Sequence, residues 1–385
     1  MYIDLVRQGK YKEAYKVVQE ENPLVLICGR VCYNLCENSC NRNSIDEALA
    51  IRELKRFVSD HLLEEEGAFP VPEIEEEKEK DVVIVGSGPS VLTAAFSLRK
   101  KGYKVTVFEA ESVVGGMLAT AIPEYRLPKD LLNEEIAVLT TMGVEFVVNT
   151  EIGKDITLKE LKDRGYWAVY MAVGAQEDRS LPIEGNELPE VYSALDLLRD
   201  INLEKDIKMK DKKVAVIGGG NAAIDIARNL VRLNAEEVNI VYRRTEKDMP
   251  AHKEEIEEAK YEQVKMHFQV NPVKVISENN KIKGLECVEI KGGEFDNSGR
   301  RKPNAVDNSN FVLDVDVVVS AIGQNVNDDF NNGDLELEMD YGSLISVDAD
   351  HSTNIPWIFA GGDCVTGPST VVESIQQDRK STRLN

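Results

Sequence analysis

Apolar residues recur along this chain in two rhythms. Residues 2–20 and 44–66 carry them at helical period, with Ile45, Leu49, Ile51, Leu54, Phe57 and Val58 on one side of the second stretch. Elsewhere they gather in short continuous runs that predict buried strands. Val82-Val83-Ile84-Val85 is followed by a glycine turn, a helix through Arg99 and a second run, Val105-Thr106-Val107-Phe108. Val214-Ala215-Val216-Ile217, a helix from 222 to 233 and Val238-Asn239-Ile240-Val241-Tyr242 repeat the order. Each set predicts a βαβ unit. A further strand is expected over 315–321. Residues 265–315, with polar alternation and Gly-Gly and Asn-Asn turns, predict a small antiparallel excursion. The acidic, proline-containing stretch 67–80 predicts a solvated linker.

The two glycine turns carry the chemistry. In Gly86-Ser87-Gly88-Pro89-Ser90-Val91 the glycines let the backbone turn tightly and approach a pyrophosphate resting on the helix N-terminus. Glu109 ends the next strand, where an acid accepts from ribose hydroxyls. Val91 stands where a third glycine would ease helix–strand packing. The second turn, Gly218-Gly219-Gly220-Asn221-Ala222-Ala223, differs at the strand end, where Arg243 and Arg244 replace the acid. Guanidinium groups pair with a 2′-phosphate that an acid would repel, which favours NADPH over NADH. The bland alternative is a solvated arginine pair. Asp225 and Arg228 are read as salt-bridge partners rather than catalysts.

Cys28, Cys32, Cys36 and Cys40 recur every four residues. On one continuous helix the outer two would stand about 18 Å apart, so sharing a cluster requires a looped segment, which Gly29, Asn34 and Asn38 permit. The density of cysteines favours an iron–sulfur cluster, with zinc or unligated thiols as alternatives. Cys287 and Cys364 are read as buried small hydrophobes. The absence of C-x-x-C disfavours a redox-active dithiol. His61, His252, His267 and His351 show no metal spacing, and His252 is expected in a loop or packing role. No catalytic side chain is required, because hydride transfer between stacked rings needs positioning rather than a nucleophile.

Composition narrows the classes. At 42% hydrophobic and 30% charged the 385-residue chain reads as soluble and globular. A net charge of −22 argues against nucleic acid and anionic membranes. No apolar run approaches a membrane span. The N-terminus lacks the apolar core and cleavage site of a signal peptide. Cytoplasmic location, with the six cysteines unpaired, is the expectation.

The succession Cys28-Gly29-Arg30-Val31-Cys32, Gly86-Ser87-Gly88-Pro89, Gly115-Gly116-Met117-Leu118, Ile122-Pro123-Glu124-Tyr125-Arg126-Leu127-Pro128, Gly218-Gly219-Gly220-Asn221, Tyr242-Arg243-Arg244, Ala321-Ile322-Gly323, Gly361-Gly362-Asp363 and Gly367-Pro368-Ser369-Thr370-Val371 resembles the small (β) subunit of NADPH-dependent glutamate synthase. Its relatives include the N-terminal part of dihydropyrimidine dehydrogenase and the large subunit of electron-bifurcating transhydrogenases, and the likeness covers roughly residues 15–379. It implies an α/β fold with two Rossmann-like nucleotide-binding domains, the NADPH domain (201–329) inserted into the FAD domain (81–200 and 330–385). A small α-helical cysteine-rich domain (1–66) and the acidic linker (67–80) come first. It further implies that Gly86, Ser87, Gly88, Pro89, Ser90, Glu109, Gly116, Met117 and Arg126 hold FAD, completed by Gly362, Asp363, Thr370 and Val371. Asp363 would take the ribityl hydroxyls, and the helix starting near Thr370 would point its positive end at the flavin. Gly218, Gly220, Asn221, Ala222, Arg243, Arg244, Ala321, Ile322 and Gly323 would hold NADPH.

The implied function is an NAD(P)H-dependent flavoprotein oxidoreductase. Hydride passes from NADPH to FAD, and electrons leave through a [4Fe-4S] centre at Cys28, Cys32, Cys36 and Cys40 to a partner subunit or ferredoxin. An oligomer is compatible with this reading. A non-catalytic electron-relay or nucleotide-sensing subunit is the second reading. The sequence departs from the family in three places. Residues 1–27 lack the upstream cysteines of two-cluster members, and Lys55 falls where a Gln or Glu ligand is usual. Both argue against two complete clusters from this chain alone, leaving one cluster on the four cysteines or a site completed by a partner. The tail from Gln377 to Asn385 breaks the family pattern and reads as a truncated or foreign end, beyond which relatives carry further domains.

Overall fold

The computed structural model describes residues 1–295, 301–331 and 335–381. The end of the tail, 382–385, lies outside the described residues. The chain divides into two compact units, Met1–Gln176 with Asn325–Asn385, and Glu177–Gln324.

The first unit begins with α1 (Tyr2–Arg7), α2 (Tyr11–Glu21), α3 (Val25–Val31), α4 (Leu35–Asn38) and α5 (Ile51–Glu66). The single helix expected over 2–20 is broken at Gly9, whose φ of +74° suits a helix end. The helix expected from 44 starts only at Ile51, and Ile45 is 83% exposed. Then follow β1 (Asp81–Val85), α6 (Pro89–Lys100), β2 (Lys104–Phe108), α7 (Met117–Thr120), α8 (Lys129–Thr141), β3 (Glu145–Val147), α9 (Leu158–Asp163) and β4 (Ala168–Met171).

The second unit runs through β5 (Glu177–Asp178), β6 (Val191–Ser193), α10 (Ala194–Asn202), β7 (Lys213–Ile217), α11 (Asn221–Arg232), β8 (Glu237–Tyr242), α12 (Lys253–Tyr261) and β9 (Lys265–Phe268). It continues with β10 (Val270–Glu278), β11 (Lys281–Phe295), β12 (Arg301–Ala305), β13 (Phe311–Leu313) and β14 (Val317–Ser320). After β15 (Gln324–Asn325), the chain adds β16 (Met339–Asp340), β17 (Leu344–Ile345), β18 (Ile358–Ala360), α13 (Asp363–Thr366) and α14 (Val371–Ser381).

The first unit holds a parallel sheet in the order β18-β4-β1-β2-β3. Side chains alternate between its faces. Val83, Val85, Val169 and Met171 enter one core, whereas Ile84, Val107 and Tyr170 enter the other. The second core is continuous with the N-terminal helices, since Tyr15, Leu26, Cys28, Val58 and Leu62 belong to it together with Val91, Leu92 and Ala95 of α6. The cysteine-bearing helices are therefore built onto the sheet rather than set apart from it. Glu135 of α8 secures the join: its buried carboxylate accepts the Leu26 and Ile27 N–H groups at 2.8 and 2.9 Å. The acidic stretch is likewise not a free linker. Glu75 N–H donates to Lys100 O and Lys78 N–H to Gly102 O, and Glu77 pairs with the mostly buried Arg99 guanidinium.

The second unit repeats the parallel plan as β6-β14-β7-β8-β9, flanked by the antiparallel strands β10 to β13. Two boundaries differ from the sequence expectation. Residues 177–200 cluster with this unit, because β6 pairs with β14. β9 joins the parallel sheet, so the antiparallel excursion starts at Val270.

Candidate functional site

At the end of β1 the chain turns through Gly86 at φ +99°, and an added Cβ would stand 2.6 Å from the Ala172 carbonyl oxygen. Gly88 caps α6 with Pro89 in the first turn and no capping side chain. Nothing lies within 4 Å of a Cβ built on Gly88. The space beside Gly88 at the head of α6 is thus open, as a diphosphate requires. Val91, at the third-glycine position, is fully buried and contributes to the core.

Ser87 organises the rest of this turn. Its hydroxyl donates to the Glu109 carboxylate and accepts the Gly115 and Gly116 N–H groups at 2.9 and 3.2 Å. Gly116, at φ +53°, passes so close that a Cβ would lie 2.8 Å from Gly88 Cα. Burial pushes the Glu109 carboxyl pKa up, against the Glu111 N–H and Ser87 hydrogen bonds that favour the anion. Met117 opens α7 directly after this pinned turn. Arg126 lies with its guanidinium carbon 5.9 Å from the Tyr33 ring centre, which sets the cysteine segment beside the loop between α7 and α8.

From the far end of the chain, Gly362 (φ +75°) starts α13 at Asp363. Asp363 accepts from Ser369 Oγ at 2.8 Å and Ser374 Oγ at 3.2 Å, and burial raises its pKa. Neither serine was singled out from sequence. Thr370 and Glu373 form a reciprocal cap at the start of α14, with Thr370 N–H to Glu373 Oε2 at 2.8 Å and Glu373 N–H to Thr370 Oγ1 at 3.3 Å. The amide of Thr370 is therefore spent on a carboxylate, a feature the Thr-x-x-Glu spacing signals. Val371 packs against the core shared by α6 and the N-terminal helices.

In the second unit Gly218 turns at φ +146°, and the space for a Cβ is filled by the Ala321 carbonyl oxygen. A Cβ on Gly219 would lie 2.6 Å from the Tyr242 ring, whereas Gly220, which caps α11 without a capping side chain, faces open space. Asn221 Oδ1 accepts His252 N–H at 3.0 Å, so His252 serves the loop through its backbone. Ala222 stands in the first turn of α11, partly exposed. Ala321 N–H donates to Ile217 O, Ile322 is 37% exposed, and Gly323 (φ +125°) accepts Arg179 N–H. Arg243 is exposed after β8, and Arg244 Nε reaches Arg301 O at 3.4 Å. Arg228 turns away from the glycine turn to pair with Glu255 and Glu262.

The four cysteines are not drawn together. Cys28 sits on α3 inside the apolar core, where burial pushes its thiol to about 12. Gly29 is helical rather than part of a loop, and a Cβ there would lie 2.8 Å from Arg56 N, so it serves the α3–α5 crossing. The chain does bend beyond it, through Asn34 at φ +43°. Cys36 is exposed, Cys32 and Cys40 are partly exposed, and N–H groups of Leu49 and Arg42 lower the Cys40 thiol. Among the described residues no group of three or more His, Cys, Asp or Glu side chains could hold a metal ion. The glycine cradles thus fit two nucleotides, whereas the four cysteines do not come together as one ligand set among the described residues.

Residues 80–377 match the family described as pyridine nucleotide-disulphide oxidoreductase, and residues 1–67 match dihydropyrimidine dehydrogenase domain II, 4Fe-4S cluster. The chain is 41% identical to the NADP(+)-dependent formate dehydrogenase subunit beta of Moorella thermoacetica, over 99% of this chain and 57% of that protein. It is 33% identical to the glutamate synthase [NADPH] small chain of Escherichia coli, over 99% and 84%. It is 36% identical to the NADPH-Fe(3+) oxidoreductase subunit beta of Geobacter sulfurreducens, of which it spans 61%. It thus spans less than two thirds of the length of the formate dehydrogenase and Fe(3+) oxidoreductase relatives. Mycobacterium tuberculosis FprA in complex with NADPH shares the fold at 20% identity, with a TM-score of 0.67 over 79% of this chain and 83% of that one. Among the described residues no helix is long and apolar enough to cross a membrane. FAD and NADP are the cofactors that the larger match implies, and a 4Fe-4S cluster is implied by the N-terminal one. By these matches the chain belongs to the pyridine nucleotide-disulphide oxidoreductase family, in the group that includes the glutamate synthase small chain.

Proposed function

We propose that this chain is the NADPH-oxidising flavoprotein part of an electron-transfer enzyme. The observation that carries the reading is the contrast between two uncapped glycine turns. One lies beside a buried acid and the other is followed by two arginines. In this reading Gly86, Ser87, Gly88, Pro89, Ser90 and Glu109 hold the adenosine diphosphate of FAD. Gly116, Met117, Arg126, Gly362, Asp363, Thr370 and Val371 hold its remainder. Gly218, Gly220, Asn221 and Ala222 take the pyrophosphate of NADPH, Arg243 and Arg244 its 2′-phosphate, and Ala321, Ile322 and Gly323 line its edge. The bound cofactors supply the chemistry, a hydride passed from the dihydronicotinamide to the flavin. The chain's part is to bind, orient and keep each nucleotide in its own cradle.

The four cysteines do not come together as one ligand set in this structure, so no step is routed through them. An electron-accepting partner subunit or ferredoxin is supported by relatives named as subunits. The family name does not bring disulfide chemistry with it, since the chain has no C-x-x-C. Purified protein should carry FAD, and its visible absorption should bleach on anaerobic addition of NADPH. A yellow protein that NADPH leaves unbleached would reject the oxidoreductase reading.

A further inference from the structure

Ser90 and Tyr170 lie 80 residues apart, and their hydroxyls meet at 2.7 Å with both residues only 4% exposed. Ser90 stands within the first glycine fingerprint, whereas Tyr170 belongs to none. Ser90 lies in the first turn of α6, whose amides border the diphosphate cradle. Tyr170 lies on β4, in register with Phe359 of β18, and its ring faces α6 because side chains alternate across the sheet. The tyrosine hydroxyl occupies the space where a Cβ on Gly361 would stand. Gly361 is fixed from other sides too: its N–H donates to Met171 O at 3.0 Å, and its carbonyl accepts from Cys364 Sγ at 3.2 Å. A Cβ on Gly362 would lie 3.2 Å from Ser90 Cβ. One hydrogen bond therefore sits where the glycine turn and the Gly361-Gly362-Asp363 segment approach each other from opposite ends of the chain.

We propose that the Ser90–Tyr170 hydrogen bond is a positioning lock, which sets the spacing between the diphosphate-binding turn of α6 and the ribityl acceptor Asp363. The inference rests on the flavin site proposed above. Removing either hydroxyl breaks this bond between the two segments, so each single deletion disturbs the junction, and removing both breaks the same bond.

The test is a double-mutant cycle on the full chain: wild type, Ser90→Ala, Tyr170→Phe and the double variant. FAD dissociation constants, the shape of the bound-flavin absorption band and the thermal midpoint without added FAD are compared. Each single variant should weaken FAD by roughly five- to tenfold and alter the flavin band. The double variant should weaken FAD to about the same extent as either single, because both changes break the same bond. Additive losses, or single variants that bind FAD like wild type and differ only in thermal midpoint, would overturn the lock. Should both single variants fail to fold, the double variant carries the test: wild-type FAD affinity and band shape there reject the lock, and a weakened, altered flavin supports it. A wild-type chain that binds no FAD would overturn the flavin site and the lock together, whereas full wild-type occupancy with unaffected variants rejects the lock alone.

Discussion

The two glycine turns answer the same steric problem and then diverge. In each unit the first glycine abuts the carbonyl of the residue that follows the neighbouring parallel strand, Ala172 after β4 and Ala321 after β14. The parallel strand beside the turn, rather than the nucleotide alone, excludes a side chain there. Beyond that point the first turn is closed by hydroxyls and a buried acid, through Ser87, Glu109 and the Gly115–Gly116 amides. The second is backed by the Tyr242 ring and open at Gly220, and two arginines, not an acid, follow its second strand. A closed, hydrogen-bonded surround suits a resident cofactor held through many contacts. An open, cationic one suits a phosphorylated coenzyme that must arrive and leave. On the reading proposed above, nucleotide identity is written at the strand end and in the second layer, not in the glycines.

The strongest test of the shared part is Gly218→Ala. Positive φ and a carbonyl in the way make it a strained substitution. NADPH-dependent flavin reduction should fall on the order of 100-fold, with FAD content unchanged in stopped-flow and absorbance measurements. Gly86→Ala should do the reverse and lose FAD. If both variants lose both nucleotides, the two turns are not separate sites. The divergent part is tested by Arg243→Ala/Arg244→Ala. Losing charge-assisted pairs of about 1.5–3 kcal/mol each should raise KM for NADPH at least tenfold while that for NADH stays within a factor of about two. Equal losses with both coenzymes would remove the 2′-phosphate role. On the flavin side, Asp363→Ala leaves Ser369 and Ser374 without their acceptor. FAD retention should drop about tenfold, measured as flavin per chain at unchanged circular dichroism.

What the sequence made legible follows from locality. β1, β2, β7 and β8 and both turns come from runs of β-branched residues and glycines whose constraints act within a few positions. Residues 177–200 were read with the wrong unit because β6 is only three residues long and is defined by its pairing with β14, far away in sequence. Cys28 was grouped with its neighbours by spacing, yet its helix face is set by core partners that spacing does not reveal. The acidic stretch looked solvated because the pairing of Glu77 with Arg99 crosses from the linker to α6. The Ser90–Tyr170 contact, which joins α6 to β4, had no local signal at all. Thr370-x-x-Glu373 did have one, a capping spacing readable from the chain alone.

The smallest expected effects compare two carboxylates that hold their units together by opposite means. Glu262 is 16% exposed at its side chain; burial opposes its charge, but the Arg232 and Arg228 guanidinium groups prevail and bring its carboxyl down to about 2. Glu135, buried among apolar groups, is pushed up to about 7 by desolvation, against the α3 N–H groups that favour the anion. The ordinary value is 4.5 for both. Between about 2 and 4.5 the unfolded chain binds more protons at Glu262 than the folded one, so this contribution is present above 4.5 and disappears as pH falls toward 2. Between 4.5 and about 7 the folded chain binds more protons at Glu135, so stability from this group falls as pH rises through that window. Denaturant unfolding against pH should separate them. Glu262→Gln should destabilise by about 1 kcal/mol at neutral pH and match wild type near pH 2. Glu135→Gln should flatten the decline between pH 4.5 and 7 by a similar amount. Parallel pH profiles for wild type and Glu135→Gln would show instead that the α3 amides keep that carboxylate ionised throughout, and the buried cap would then act as a charge rather than as a titrating group.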